Sequence, residues 1–335
     1  MTPILGIFAS ASASRSFIAF GSIDPPYILA YPWSNGFGTK YADPATLPTG
    51  SVTGITVNAT RDAIAVSHST TPYMTAYPWS GGFGTKYANP INLPTGNGTG
   101  IGFSPVGNVI GLGISVTPWL EAWAWSISGF GAKYANPASI PTASQNAVAW
   151  RPSGDTIATT STTSNYLNAW AWSSGFGTRY GNPSPILPGS ARGLSFNPAG
   201  DVIAAAHSTT PFVTAYAWSS GFGTKYANPA ALPAGQGNGV AFNPAGNAIA
   251  LAHNTTPFVS AYPWSAGFGT KYSNPSTLPA GNAFGVSWNS SGNAIALSLA
   301  TTPFLAAYPW SAGFGTKYSD PSTLASATQN DVVFI

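Results

Sequence analysis

GVAFNPAGNAIALAHNTTPFVSAYPWSAGFGTKYSNPSTLPAG, residues 239 to 281, divides into four short segments of strand-like composition. Segment A is Val240 to Phe242, B is Ala248 to His253, C is Phe258 to Trp264 and D is Gly269 to Tyr272. The A to B link, Asn-Pro-Ala-Gly-Asn, is a hairpin signal: Pro presets one turn angle and Gly supplies a positive φ. Ser-Ala-Gly-Phe-Gly between C and D follows the same logic, and the longer link after D is suited to a crossover. Along C, Phe258, Ser260, Tyr262 and Trp264 alternate with Val259, Ala261 and Pro263, the period of two of a strand packed on both faces. Ala248, Ala250 and Ala252 in B leave room for a neighbouring sheet to approach.

The same unit recurs along the chain. Trp33, Trp79, Trp125, Trp172, Trp218, Trp264 and Trp310 each precede Ser, and successive copies are 46 residues apart except for one extra residue near Ile127. Four short antiparallel strands per unit, in seven copies, predict an all-β, seven-bladed β-propeller. A lone blade cannot bury both of its faces, so stability must come from its neighbours. The termini predict how the ring closes. The chain enters at a B-like segment, Phe17 to Phe20, and ends in the A-like Val332 to Phe334, which stands as far beyond Trp310 as Val286 stands beyond Trp264. Pairing of the N- and C-terminal segments would complete one blade. Residues 15–335 then form the propeller and residues 1–14 an arm, although Leu5 to Phe8 is also strand-like.

Composition narrows the function. Only 6% of residues are charged, against roughly 25% in ordinary soluble proteins, and aromatics reach 13%. A net charge of +3 without a local basic patch argues against a nucleic-acid partner. No run approaches a membrane span, so no membrane insertion is expected. The first residues lack a basic n-region, which argues against a secretory signal. With no cysteine, thiolate metal sites and cysteine nucleophiles are excluded.

In its A–B hairpin, FNPAGNAIALAH, and its C segment, TTPFVSAYPW, the unit resembles WD40-like and YVTN-like propeller repeats. Trp-Ser replaces Trp-Asp and no Gly-His pair opens the blade, so the Asp–His network of WD40 repeats is not implied. The phrases AYAWSSGFGTKYANP, residues 215–229, and LPAGxGNGVAFxPAG are similar to repeats of tailed-phage virion proteins. That similarity implies a particle component without chemistry of its own.

The charged residues follow the repeat. Lys40, Lys86, Lys133, Arg179, Lys225, Lys271 and Lys317 occupy one position in segment D and form a symmetric basic ring. Such a ring can meet an anionic partner by repeated weak contacts, or can simply protect an outer edge strand from aggregation; the second reading is favoured. The acidic residues read mostly as turn formers: Asp43 and Asp320 before Pro, Asp155 and Asp201 in A–B turns. His68, His207 and His253 share the end of segment B and would lie too far apart on a ring to share a metal, so a hydrogen bond to the B–C loop is expected. The recurring Trp, Phe and Tyr positions point first to packing. The third unit deviates most, with Trp119, Glu121 and Trp123 in place of the usual residues, a combination suited to an interaction hot spot or, equally, to the repacking of one divergent blade.

These readings lead to a non-enzymatic structural or binding propeller without metal or cofactor. The leading expectation is a tailed-phage virion protein, synthesised in the host cytoplasm, that contacts other virion subunits, itself or a host-surface glycan. The alternative is a lectin-like propeller with a glycan site in each unit. No converging polar residues are discerned in the channel.

Overall fold

The computed structural model describes residues 16–163 and 165–335. The arm assigned to residues 1–14 and the strand-like Leu5 to Phe8 lie outside the described residues. The rest is all-β, and its strands form seven antiparallel sheets, the blades. The innermost strands, in ring order from blade one, are Gln329–Phe334, Val52–Val57, Gly98–Phe103, Gln145–Trp150, Ala191–Phe196, Gly237–Phe242 and Ala283–Trp288. Each packs beside the next, and Ala283–Trp288 returns to Gln329–Phe334.

Closure follows the expected route. Blade one pairs the C-terminal strand Gln329–Phe334 with Phe17–Ser22, which in turn pairs with Ile28–Pro32. Ile18 stands opposite Phe334 and Phe20 opposite Val332. The end of the chain thus covers a strand edge left open by its beginning.

The expectation of four strands in every blade requires a correction. Blades three, four and five have the fourth strand, at Gly129–Lys133, Phe176–Arg179 and Phe222–Lys225. The other four blades have three strands, with only an isolated bridge such as Trp264 to Phe268 marking the outer segment. The residue before the repeat Trp explains the division. It is Ala124, Ala171 or Ala217 in the four-stranded blades and Pro32, Pro78, Pro263 or Pro309 in the others. Its backbone faces the outer segment, since the Gly38 amide donates to the Pro32 carbonyl at 2.8 Å. Proline keeps that acceptor but has no N–H to return, so the ladder cannot continue.

The blades are held together by aromatic clusters at their interfaces. Trp264 meets Tyr226 of the preceding unit, Phe242 and Phe268 edge-on at centroid distances of 5.1, 5.2 and 5.0 Å. Such pairs contribute about 0.5–1.5 kcal/mol each beyond area burial. A polar bolt accompanies them. The buried Tyr77 hydroxyl donates to the Thr46 carbonyl of the preceding link at 2.7 Å, and Tyr31, Tyr216, Tyr262 and Tyr308 do the same in their blades. Trp123 and Trp170 use the indole N–H for the same bond, to Asn92 and Ser139 at 2.9 Å. The second strands supply the small residues that let neighbouring sheets close in: Ala248, Ala250 and Ala252 are all fully buried.

Candidate functional site in the central channel

The inner strands line a central cavity of about 690 Å³. Two successive positions of each inner strand shape its wall. The first is occupied around the ring by Thr53, Thr99, Asn146, Arg192, Asn238, Phe284 and Asn330. Most of these tie one inner strand to a backbone carbonyl of the next. Thr53 Oγ1 donates to Gly98 at 2.8 Å, Asn146 Nδ2 to Ala191 at 2.7 Å, and Asn238 Nδ2 to Ala283 at 2.8 Å. Thr99 likewise donates to Gln145, and Asn330 Nδ2 closes the belt across the chain's seam to Val52 at 2.8 Å. Arg192 and Phe284 do not take part. Arg192 is exposed and makes no ion pair or side-chain hydrogen bond among the described residues.

The second position is Gly54, Gly100, Ala147, Gly193, Gly239, Gly285 and Asp331. Close approach of backbones dictates glycine here: a Cβ on Gly239 would lie 2.6 Å from the Phe284 carbonyl oxygen, and one on Gly193 would lie 2.8 Å from the Gly239 Cα. Asp331 occupies this small-residue position at the seam. Its Oδ2 accepts the Ile55 amide of blade two at 3.0 Å, and its Oδ1 accepts the Val332 amide at 2.8 Å. Burial pushes its carboxyl up to about 6, against the opposing pull of the two amides. Asp331 and Arg192 are the two charged residues among the described ones that line the cavity. The sequence reading, which found no polar convergence in the channel and took the carboxylates mostly as turn formers, is corrected by these residues. The available signal was Asp331 standing in register with glycines.

The segment D cations lie elsewhere and are engaged locally. Lys40 and Lys317 pair with Asp43 and Asp320, and Lys86, Lys225 and Lys271 donate to Asn89, Asn228 and Asn274, in each case three residues on. Arg179 donates to Asn168 and Asn182, both at 2.6 Å, and Lys133 pairs with Glu121. The ring therefore ties each outer segment to the turn that follows it or to the strand beside it.

Glu121 is fully buried and also accepts the amide and hydroxyl of Thr95, while Lys133 Nζ lies 5.4 Å from the Trp123 ring centre. Trp123 is the interblade bolt described above. Trp119 is half-buried, with a left-handed φ of 70° that its counterparts Tyr73, Phe212, Phe258 and Phe304 share at 67 to 70°.

The histidines meet the B–C loop, as expected, through the backbone of Thr70, Thr209 and Thr255, and they also pair with strand C. His68 and His207 Nε2 lie 2.9 Å from the hydroxyls of Thr75 and Thr214, and His253 lies 3.1 Å from Ser260. Burial pulls all three down to about 4, so they are neutral at pH 7. In blade three, Ile114 replaces the histidine and Glu121 replaces its hydroxyl partner, which frees the carboxylate to pair with Lys133. No three His, Asp or Glu side chains converge as a metal site among the described residues.

The class of protein defined by this architecture is a seven-bladed propeller, and solved structures share it over almost their whole length. A Lactobacillus plantarum protein matches with a TM-score of 0.75 and 12% identity, covering 96% of this chain and 99% of that one. A Bacteroides fragilis protein provisionally named a 6-phosphogluconolactonase matches at 0.72 and 11%, covering 97% and 99%. The periplasmic gluconolactonase of Pseudomonas aeruginosa matches at 0.68 and 11%, covering 96% and 99%. Identities this low establish the fold alone. No protein-family model and no curated protein matches the chain. The WD40-like resemblance is thus supported at the level of a propeller. The expectation of a non-enzymatic virion component, and its lectin-like alternative, are corrected by these similarities: the Bacteroides fragilis and Pseudomonas aeruginosa propellers carry gluconolactonase names.

Proposed function

We propose that the channel is an active site and that the chain hydrolyses a small, anionic, hydroxylated lactone. The observation that carries this reading is that Asp331 and Arg192, charged residues of the cavity wall, occupy positions held in most other blades by glycine or by residues that tie neighbouring blades together. The names of the similar propellers support the choice of reaction.

Asp331, with its carboxyl near 6, is ionised at pH 7, and two backbone bonds leave it further acceptor capacity. It takes a proton from a water whose oxygen adds to the lactone carbonyl carbon. The ring C–O bond then breaks and the departing oxygen receives that proton, releasing an open-chain hydroxy acid. Arg192, exposed to the cavity and without an anionic partner among the described residues, holds the substrate's anionic group as a planar, permanently charged donor.

Acid release from δ-gluconolactone and from its 6-phosphate, corrected for spontaneous hydrolysis, tests the reading. The wild type should exceed background, with activity rising through pH 6. Asp331→Asn should lower kcat by about a hundredfold or more, and Arg192→Gln should chiefly raise KM. Hydrolysis at the background rate for both lactones would refute the proposal.

A further inference from the structure

The belt of interblade ties contains information about the ligand. Five of its seven residues, Thr53, Thr99, Asn146, Asn238 and Asn330, donate to the neighbouring strand. The two that do not are Arg192 in blade five and Phe284 in blade seven. They flank Asn238 of blade six, on the inner strands either side of it. Both line the cavity, Arg192 exposed and Phe284 half-exposed. Between them Asn238 is held by the Ala283 carbonyl and by Asn282 Oδ1 at 3.1 Å. The wall here is a fixed polar floor with a cation that is unpaired among the described residues at one end and an aromatic face at the other.

An Asn or Thr at either position would extend a belt that works in five other places. An arginine and a phenylalanine give up that bond and put a desolvation-sensitive charge and an apolar ring into a wet channel. We infer that Arg192 and Phe284 form one bipartite subsite for a phosphorylated sugar acid or its lactone. The phosphate sits on the guanidinium and the C–H face of the carbon skeleton lies on the Phe284 ring. This rests on the reading of the channel as the active site and adds that the preferred substrate is phosphorylated. A planar guanidinium suits bidentate contact with phosphate, and an aromatic face accepts an aliphatic C–H surface while the hydroxyls stay hydrated.

Titration calorimetry with gluconate 6-phosphate, gluconate and inorganic phosphate tests the subsite directly. The wild type should bind the phosphorylated acid about tenfold or more tightly than gluconate. Arg192→Gln should erase that preference. Phe284→Ala should weaken both sugar acids severalfold and leave inorganic phosphate unchanged. Phe284→Leu, closer in volume, serves as the control for folding and should fall between. Equal affinity of the wild type for both acids, or preserved discrimination in Arg192→Gln, would overturn the subsite, as would unchanged affinity for both sugar acids in Phe284→Ala. If binding follows the expected pattern while neither lactone is hydrolysed, the subsite stands and the hydrolytic reading falls. If hydrolysis proceeds but Arg192→Gln and Phe284→Ala leave discrimination intact, the reverse holds.

Discussion

Asp331 Oδ2 lies 3.0 Å from the Ile55 amide nitrogen, and this bond joins the last strand of the chain to the inner strand of blade two. Asn330 Nδ2 crosses the same seam to the Val52 carbonyl at 2.8 Å. The site proposed for chemistry is therefore also where the ring is fastened, and the two roles make separable predictions.

Asp331 should cost stability at neutral pH. Its folded pKa of about 6 exceeds the ordinary value of 3.8, so the folded state holds the proton more tightly. Its favourable contribution is present below 3.8 and is lost as pH rises through 6. Asp331→Asn should thus gain in melting temperature relative to wild type between pH 4 and 7, by an equivalent on the order of 1–3 kcal/mol. A difference independent of pH across that window would contradict the assignment.

The histidines act in the opposite sense. Their folded values of about 4 lie below the ordinary 6.5, so between these limits the unfolded chain binds more protons. Stability is fully present above pH 6.5 and declines toward pH 4, by up to roughly 3 kcal/mol per histidine. His207→Leu, which copies the Leu299 of blade seven, should flatten part of that decline in thermal melts.

Gly100 has no room for a side chain, since a Cβ would stand 2.6 Å from the Asn146 carbonyl oxygen and 2.9 Å from the Ala147 Cα. Gly100→Ala should destabilise by about 1–3 kcal/mol in denaturant titration, because backbone rather than a flexible side chain would have to move. Ala147→Gly, at the equivalent position, should fall well short of that cost.

The fourth strand should be removable by one substitution. Ala217→Pro imitates the proline blades, so the fold should survive while amide exchange in Phe222–Lys225 accelerates. Unchanged protection of that segment would show that the missing N–H does not set the strand count.

Tyr77→Phe deletes the hydroxyl bonded to the Thr46 carbonyl and should cost about 1 kcal/mol by calorimetry. Tyr77→Trp should cost less, because Trp123 and Trp170 make the same bond through the indole N–H.

Repetition made the architecture readable. Seven registered Trp-Ser pairs and the Asn-Pro-x-Gly hairpins encode local strands and turns, and the offset between the first B segment and the last A segment encodes closure, since each depends on spacing along the chain. The strand count per blade was also present, in Ala or Pro before the repeat Trp, but its meaning depends on which way that residue's N–H points.

The channel was legible only as deviations from the repeat. Asp331 among glycines, and Arg192 and Phe284 among Thr and Asn, are visible in an aligned set of units, yet nothing local distinguishes them from drift. Whether a side chain at a given repeat position faces a neighbour, solvent or the axis is decided by the wrapping of all seven sheets. So the amino-acid order by itself determined the blades, their number and the seam, because hydrogen-bonded strands and turns are short-range features. The tertiary structure alone decided that Asp331 and Arg192 share one cavity while the seven segment D cations are spent on their own blades, because convergence across a ring is a property of its curvature.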